Sequence, residues 1–378
     1  MFNISRRQIL CASMLWLAGI SRAMARSTKP LSLWLEVDLA SRTNGIGSAI
    51  VQGVNEALLA KPALAQLIDL QIINHHGNPD RLMHQLGELV KTSDMKRVIG
   101  LIGGGDGNLA PAVARWAIGR QLPYFITWAS NPRLIAQIQA EAQSQTYLLR
   151  KVVTDDEVFD QYLDALRQSG KKRWGLMLVN DALGRASYDY ILESAMTSSS
   201  GLELVGIEWH DISATQIGLQ YQALKQRGAQ SIFMVTHPYA AQIFSRALSA
   251  TVSASKSSRT GRQSIPIICS SNAWSPQLMK ASQGAIARAP MYFALPQNWQ
   301  SSASMEPVAG FANMVAQDWF STLAKTQQIL RPVAGGLPLL AQILPLNTWQ
   351  DERLVMQLAR YDPQGEIAFT NLSAVWDS

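Results

Sequence analysis

The sequence predicts an α/β protein of two lobes, each a doubly wound parallel sheet with helices on both faces. Three observations carry that reading. Lys96 to Pro132 runs strand, glycine loop, helix, strand, polar elbow. Short apolar strands alternate with amphipathic helices over the first 150 residues, and the same alternation restarts at Thr154. The chain has 378 residues, enough for two domains with separate cores.

In order, Leu31 to Val37 reads as the first strand and Asp38 to Asn44 as its exit loop. A helix from Gly47 to Leu59 places Ile50, Val51, Val54 and Leu58 on one face. Leu67 to Ile73 is the second strand, and Asn78-Pro79 caps a helix with Leu82, Leu86 and Val90 at four-residue spacing. Val98 to Ile102 is nearly all apolar, as expected of a strand buried on both faces. Gly103-Gly104-Gly105-Asp106-Gly107-Asn108 then turns sharply into a helix with Leu109, Val113 and Trp116 as its apolar stripe. Tyr124 to Trp128 is the fourth strand, leading into Ala129-Ser130-Asn131-Pro132, where Pro132 suits the first turn of another helix. Polar loops at the carboxyl ends of neighbouring parallel strands form a crevice, the usual ligand site of an open α/β sheet.

In the second half, Thr154-Asp155-Asp156-Glu157 is a capping box opening a helix through Val158, Tyr162 and Leu166. Strands are expected at Trp174 to Val179, Leu202 to Trp209, Ser231 to Val235 and Ile265 to Cys269. Helices are expected around Tyr188 and Ile191, around Tyr221 and Leu224, and around Ile243 and Leu248. Serine-rich Thr251 to Ser264 reads as a surface loop. A strand near Met291 to Leu295, helical segments from Glu306 onward, and two strands flanking Asp362-Pro363-Gln364-Gly365 complete the chain.

Hydrophobic residues make up 47% and charged residues 16%, a globular rather than disordered composition. Residues 1–25 read as a cleavable signal peptide: Arg6-Arg7, an apolar run from Ile9 to Ile20, and Ala23-Met24-Ala25 as a small-x-small site. Ser5-Arg6-Arg7-Gln8-Ile9-Leu10 also resembles a twin-arginine signal, with general secretion as the alternative. The leader carries Arg6, Arg7 and Arg22 and no acid, so its removal takes the net charge from +6 to +3. No basic run with interleaved aromatics stands out, so nucleic acid is not an expected partner. Cys11 leaves with the leader and Cys269 remains alone, so the core and not a disulfide must hold the fold.

The ordered set of Gly47-Ile50-Gly53, Asn74-His75-His76-Gly77-Asn78-Pro79, the glycine loop, Pro123 to Pro132, Asn180-Asp181 before Gly184, and Asp362 to Gly365 resembles a known family. It is similar to the solute-binding proteins of branched-chain amino acid ABC transporters, with the type I periplasmic-binding fold. The resemblance implies two lobes joined by three crossing segments: residues 28–150 plus about 275–360, and residues 151–274 plus about 361–378. It implies a periplasmic monomer that closes on a small ligand and delivers it to an ABC permease or, alternatively, reports it to a membrane receptor. It implies no enzymatic activity, no cofactor and no metal.

By the same resemblance, the first lobe grips the ligand with backbone N–H and hydroxyl groups from Asp106, Gly107 and Asn108 and from Ala129 and Ser130. The second lobe covers it with Leu183, His237, Tyr239, Ser271 and Asn272. Leu183 stands where the family often has tyrosine, and Ser270-Ser271-Asn272 stands where an acid commonly meets an amino group. That points away from an α-amino acid and toward an organic acid or amide, with Trp128 and Trp274 offering flat apolar surface.

Residue by residue, plainer readings stand beside these. Arg42 could pair with an anionic ligand or simply be solvated. His237, at a strand end, could touch ligand or solvent, and Trp128 could be site or core. His75-His76 sits at a strand end where neighbours point to opposite faces, which reads as solvated and not metal-binding. His84 reads as surface. Gly104-Gly105-Asp106-Gly107 also resembles the loop of NAD kinases and diacylglycerol kinases, a remote enzymatic alternative covering few residues. No Gly-x-Ser-x-Gly elbow argues for hydrolysis.

Overall fold

The computed structural model describes residues 30–40, 45–130, 148–150, 154–198, 201–211, 217–256, 264–275, 278–296, 316–317, 356–362, 364, 367–370 and 375. The expected leader, Arg42, the helix after Pro132 and most of the helical segments after Glu306 lie outside these residues.

The first lobe contains β1 (Leu31–Val37), α1 (Ile46–Leu59), α2 (Pro62–Ala65), β2 (Ile68–Asn74), α3 (Pro79–Thr92), β3 (Val98–Gly103), α4 (Ala110–Ile118), β4 (Tyr124–Ile126) and β5 (Leu148–Arg150). Its sheet has the order β2-β1-β3-β4-β5, all parallel. Along β1 the period of two separates Leu33, Leu35 and Val37, which face one core cluster, from Trp34, which faces another with Leu82, Leu86 and Val113. Asn78 caps α3 by accepting from the Arg81 N–H at 2.9 Å, and Pro79 occupies the first turn, where no N–H is needed.

The second lobe contains α5 (Asp155–Gln168), β6 (Arg173–Val179), α6 (Ala182–Ser198), β7 (Glu203–His210), α7 (Ile217–Gln226), β8 (Ser231–Val235), α8 (Pro238–Lys256), β9 (Ile267–Cys269), α9 (Leu278–Ala281), β10 (Met291–Pro296), β11 (Met356–Tyr361) and β12 (Ile367–Thr370). Both halves of the Thr154–Glu157 capping box are formed, so α5 starts where the sequence signal puts it. Four large rings, Phe159, Tyr162, Trp174 and Phe233, pack on one face of the sheet, with Phe159 and Phe233 at 5.1 Å between centroids.

The second sheet has the order β12-β11-β10-β9-β8-β6-β7. From β7 to β10 it is parallel and repeats the winding of the first sheet, and β11 and β12 add an antiparallel edge. In both lobes the second strand lies to one side of the first and the third to the other, so each sheet has one switch point. A glycine marks the same close approach in each. A Cβ on Gly47 would stand 2.2 Å from the Asp38 carbonyl oxygen, and one on Gly184 would stand 1.8 Å from that of Val179. The helix start can sit over the strand end only because no side chain intervenes.

Three expectations change. Strands β10 and β11 pair in the second sheet, although residues from about 275 to 360 were expected with the first lobe; their apolar pattern announces strands but not partners. The chain reaches the first lobe after β10, where the Lys61 ammonium donates to the Gln317 carbonyl at 3.5 Å, and is back in the second sheet at Met356. The serine-rich loop expected from Thr251 is helical to Lys256, because Ser245 and Ser249 are buried within α8 and hydrogen-bonded. His75 is buried and not solvated, for the reason given below.

Candidate functional site

The switch point of the first sheet lies between β1 and β3. The chain leaves β1 at Asp38 and leaves β3 into Gly104 to Asn108, and these two exits form one wall of a cavity of about 170 Å³. Ile46, Gly47, His75, Gly105, Asp106, Gly107 and Asn108 line that wall. Gly104 makes the first bend at φ 71°, a conformation that suits glycine. Thr127 and Ala129 N–H groups then hold the loop down by donating to the Gly103 and Gly104 carbonyls at 2.9 and 2.7 Å.

Behind the wall sits a buried ionisable group. Glu36, in an otherwise apolar strand, accepts from His75 Nε2 at 2.9 Å, the Gly104 N–H at 2.8 Å and the Tyr124 hydroxyl at 3.1 Å. Three donors meet the desolvation penalty of a carboxylate that has lost water. Burial alone would lower the His75 pKa, but the bond to Glu36, its charge, and the charges of Asp38 and Asp106 raise it overall. The Gly77 N–H donates to Nδ1 at 3.0 Å, which assigns the proton facing Glu36 to Nε2.

The second sheet presents its own switch point, between β6 and β8. Asp181 follows β6 and His237 follows β8, and His237 Nε2 meets Asp181 Oδ2 at 2.6 Å. Burial would raise the Asp181 pKa, but the His237 bond and charge and the Gly184 and Leu183 N–H groups lower it overall. Leu183, His237, Pro238 and Asn272 form the opposite wall of the cavity.

The lobes are tied beside the cavity. The Ser130 hydroxyl, at the exit of β4, donates to Asp155 Oδ1 at 2.7 Å, and its carbonyl accepts from the Asp155 N–H at 2.9 Å. Asn272 Nδ2 donates to Ser130 Oγ and lies 3.4 Å from Asp155 Oδ2. Burial pushes the Asp155 carboxyl up to about 7, against the Ser130 and Asn272 bonds. Trp128 and Trp274 add an apolar tie, ring centroids 5.8 Å apart, inside a core cluster shared by both lobes.

Of the expected site residues, Asp106, Gly107, Asn108, Leu183, His237 and Asn272 line the cavity together. Ala129 and Ser130 do not offer the expected donors, because the Ala129 N–H is bonded to Gly104 and the Ser130 hydroxyl to Asp155. Trp128 is core, Ser271 is buried with its hydroxyl on the Ala294 carbonyl at 2.7 Å, and Tyr239 faces solvent, 42% exposed. Arg42 lies outside the described residues. Sequence reasoning missed Asp38, Ile46, Gly47, Gly105, Pro238 and the Glu36–His75 pair. A lone acid in Leu31–Val37 was the signal for that pair, since a charge inside a buried strand demands a partner.

Two lobes of the same winding, facing each other across a cavity at their switch points, define a two-lobed solute-binding protein. A family model described as periplasmic binding protein matches residues 41–309. Among solved structures, a branched-chain amino acid ABC transporter periplasmic ligand-binding protein from Burkholderia xenovorans is 15% identical. Its TM-score is 0.66, with 92% of this chain and 97% of that chain covered. A leucine-binding protein from Thermotoga maritima is 13% identical, with a TM-score of 0.63 over 90% of this chain and 97% of that one. An ABC transporter solute-binding protein from R. palustris in complex with benzoate is 13% identical, with a TM-score of 0.64 over 91% and 96%. No curated protein sequence matches the chain. This chain belongs to the periplasmic binding protein family, and its fold is the type I fold of those neighbours.

Proposed function

We propose that the chain is exported through its leader and clamps a small organic acid, amide or amino-acid-like solute between its lobes. It then delivers that solute to an ABC-type membrane permease. The observation that supports this reading is the cavity bounded by both switch points, with Asp106 and Asn108 on one wall and Leu183 and His237 on the other. Its volume of about 170 Å³ is comparable to the ~150 Å³ that accommodates a single aromatic ring. Neighbours of the same fold are named for leucine, benzoate and 4-hydroxybenzoate, all solutes of that size.

The test is a thermal-shift screen of carboxylates, amino acids, amides and amines, because a ligand that binds only the folded state raises its melting temperature. X-ray scattering of each hit checks that binding closes the lobes. Asp106→Ala should weaken a hit, while His84→Ala, exposed on α3, should not. A screen in which no compound shifts the melting temperature or compacts the protein would sink the reading.

A further inference from the structure

The wall of the cavity given by the first lobe is acidic. Asp106 stands at the turn into α4, and its Oδ1 accepts the Asn108 N–H at 2.8 Å. Asp38 lines the same wall from the exit of β1. Among the described residues, the lining contains no lysine or arginine. Its two histidines already face carboxylates, His75 with Glu36 and His237 with Asp181. A carboxylate ligand pressed against Asp106 would meet like charge, and no lysine or arginine among the described lining residues offsets it.

Asn272 points the same way independently. It is 8% exposed, and its Nδ2 is directed to Ser130 Oγ and Asp155 Oδ2. The Ser130 proton is given to Asp155, so Ser130 can only accept from Asn272, which fixes the amide orientation. The side-chain carbonyl of Asn272 is therefore left over, and Asn272 lines the cavity. That oxygen makes no hydrogen bond to the described residues and is not closed off from the cavity, so a ligand N–H can reach it.

We propose that the solute is a small organic cation whose ammonium or amidinium group docks against Asp106, with one N–H directed to Asn272 Oδ1. This rests on the clamp reading above and, for that same cavity, narrows its ligand to solutes that carry a positive nitrogen group and sets aside the simple organic acids. Both acceptors suit nitrogen donors, and Asp106 adds the charge complementarity that a neutral or anionic ring lacks.

Titration calorimetry with three ring compounds of matched size tests it: benzylamine, benzamidine and benzoate, each with scattering to report lobe closure. The expected result is that at least one of the two cations binds and closes the lobes at least about tenfold more tightly than benzoate. Asp106→Asn, which keeps an acceptor for the Asn108 N–H, should remove that preference while leaving the unliganded melting temperature unchanged. If benzoate binds and closes the lobes as well as the cations do, or better, the charge assignment is overturned and the clamp stands. If Asp106→Asn leaves the preference intact, the assignment to Asp106 fails. If none of the three binds while an acid or neutral solute from the wider screen does, the cation class fails; if nothing binds at all, the clamp fails with it.

Discussion

Glu36 and His75 meet at 2.9 Å with 1% of each side chain exposed, one from within β1 and the other from the residue after β2. The pair pins two strand ends directly behind the cavity wall, and Glu36 also holds the first N–H of the glycine loop. It is the polar anchor on which the position of Asp106 depends.

Removing one partner strands the other. His75→Ala should cost about 3–5 kcal/mol of stability, because it leaves a buried carboxylate without its main counter-group. Replacing both residues with leucine should recover most of that loss. Denaturant unfolding of the two variants checks this; a single variant that loses under about 1 kcal/mol would show that the pair is not coupled.

Asp155 makes stability depend on pH. Its folded pKa, about 7, is raised above the ordinary carboxylate value, so the folded state holds the proton more tightly than the unfolded state. Its contribution to stability is therefore most favourable below about pH 4 and declines as the pH rises through about 7. Asp155→Asn should flatten the wild-type decline between those limits. Melting curves measured across that range decide it, and an unchanged slope in the variant would remove Asp155 as its source.

Asp181 acts with the opposite sign. Its folded pKa is lowered, so it adds stability above the ordinary carboxylate range and loses that contribution as the pH falls through the folded value. It also caps α6 by accepting from the Gly184 N–H at 3.1 Å. Asp181→Ala should cost about 1 kcal/mol at neutral pH for the cap alone and blunt the acid limb of the stability profile. Urea titrations at pH values on both sides of that limb measure both effects.

The matched glycines make a paired prediction. Gly47→Ala and Gly184→Ala each drive a methyl group into a strand-end carbonyl, and each should destabilise by about 1–3 kcal/mol. Gly47→Ala should also weaken ligand binding, since the displaced carbonyl belongs to Asp38, a lining residue. Retention of wild-type affinity together with lowered stability would separate packing at this helix start from the geometry of the cavity.

Much of the scaffold was legible because it is written in local signals. The cap at Asn78, the box at Thr154 and the alternating strands of both halves act over a few residues, and the structure forms them where those residues stand. The loops at strand ends were legible as a crevice for the same reason. The direction that each strand-end side chain takes was not, because such a residue can turn toward ligand, core or a neighbouring lobe. Trp128 turned to Trp274, and Ser130 turned to Asp155.

The chain alone determined two successive βα halves, their helix starts, and the exits from which a binding crevice had to be built, since each depends on periodicity and capping within a short span. Tertiary structure decided which strands share a sheet, that Glu36 would find His75, and that Asn272 would give its amide nitrogen to Ser130 and Asp155 and keep its oxygen for the cavity. Those outcomes follow from the partners that burial brings together across tens to more than a hundred residues, and no local pattern encodes such pairings.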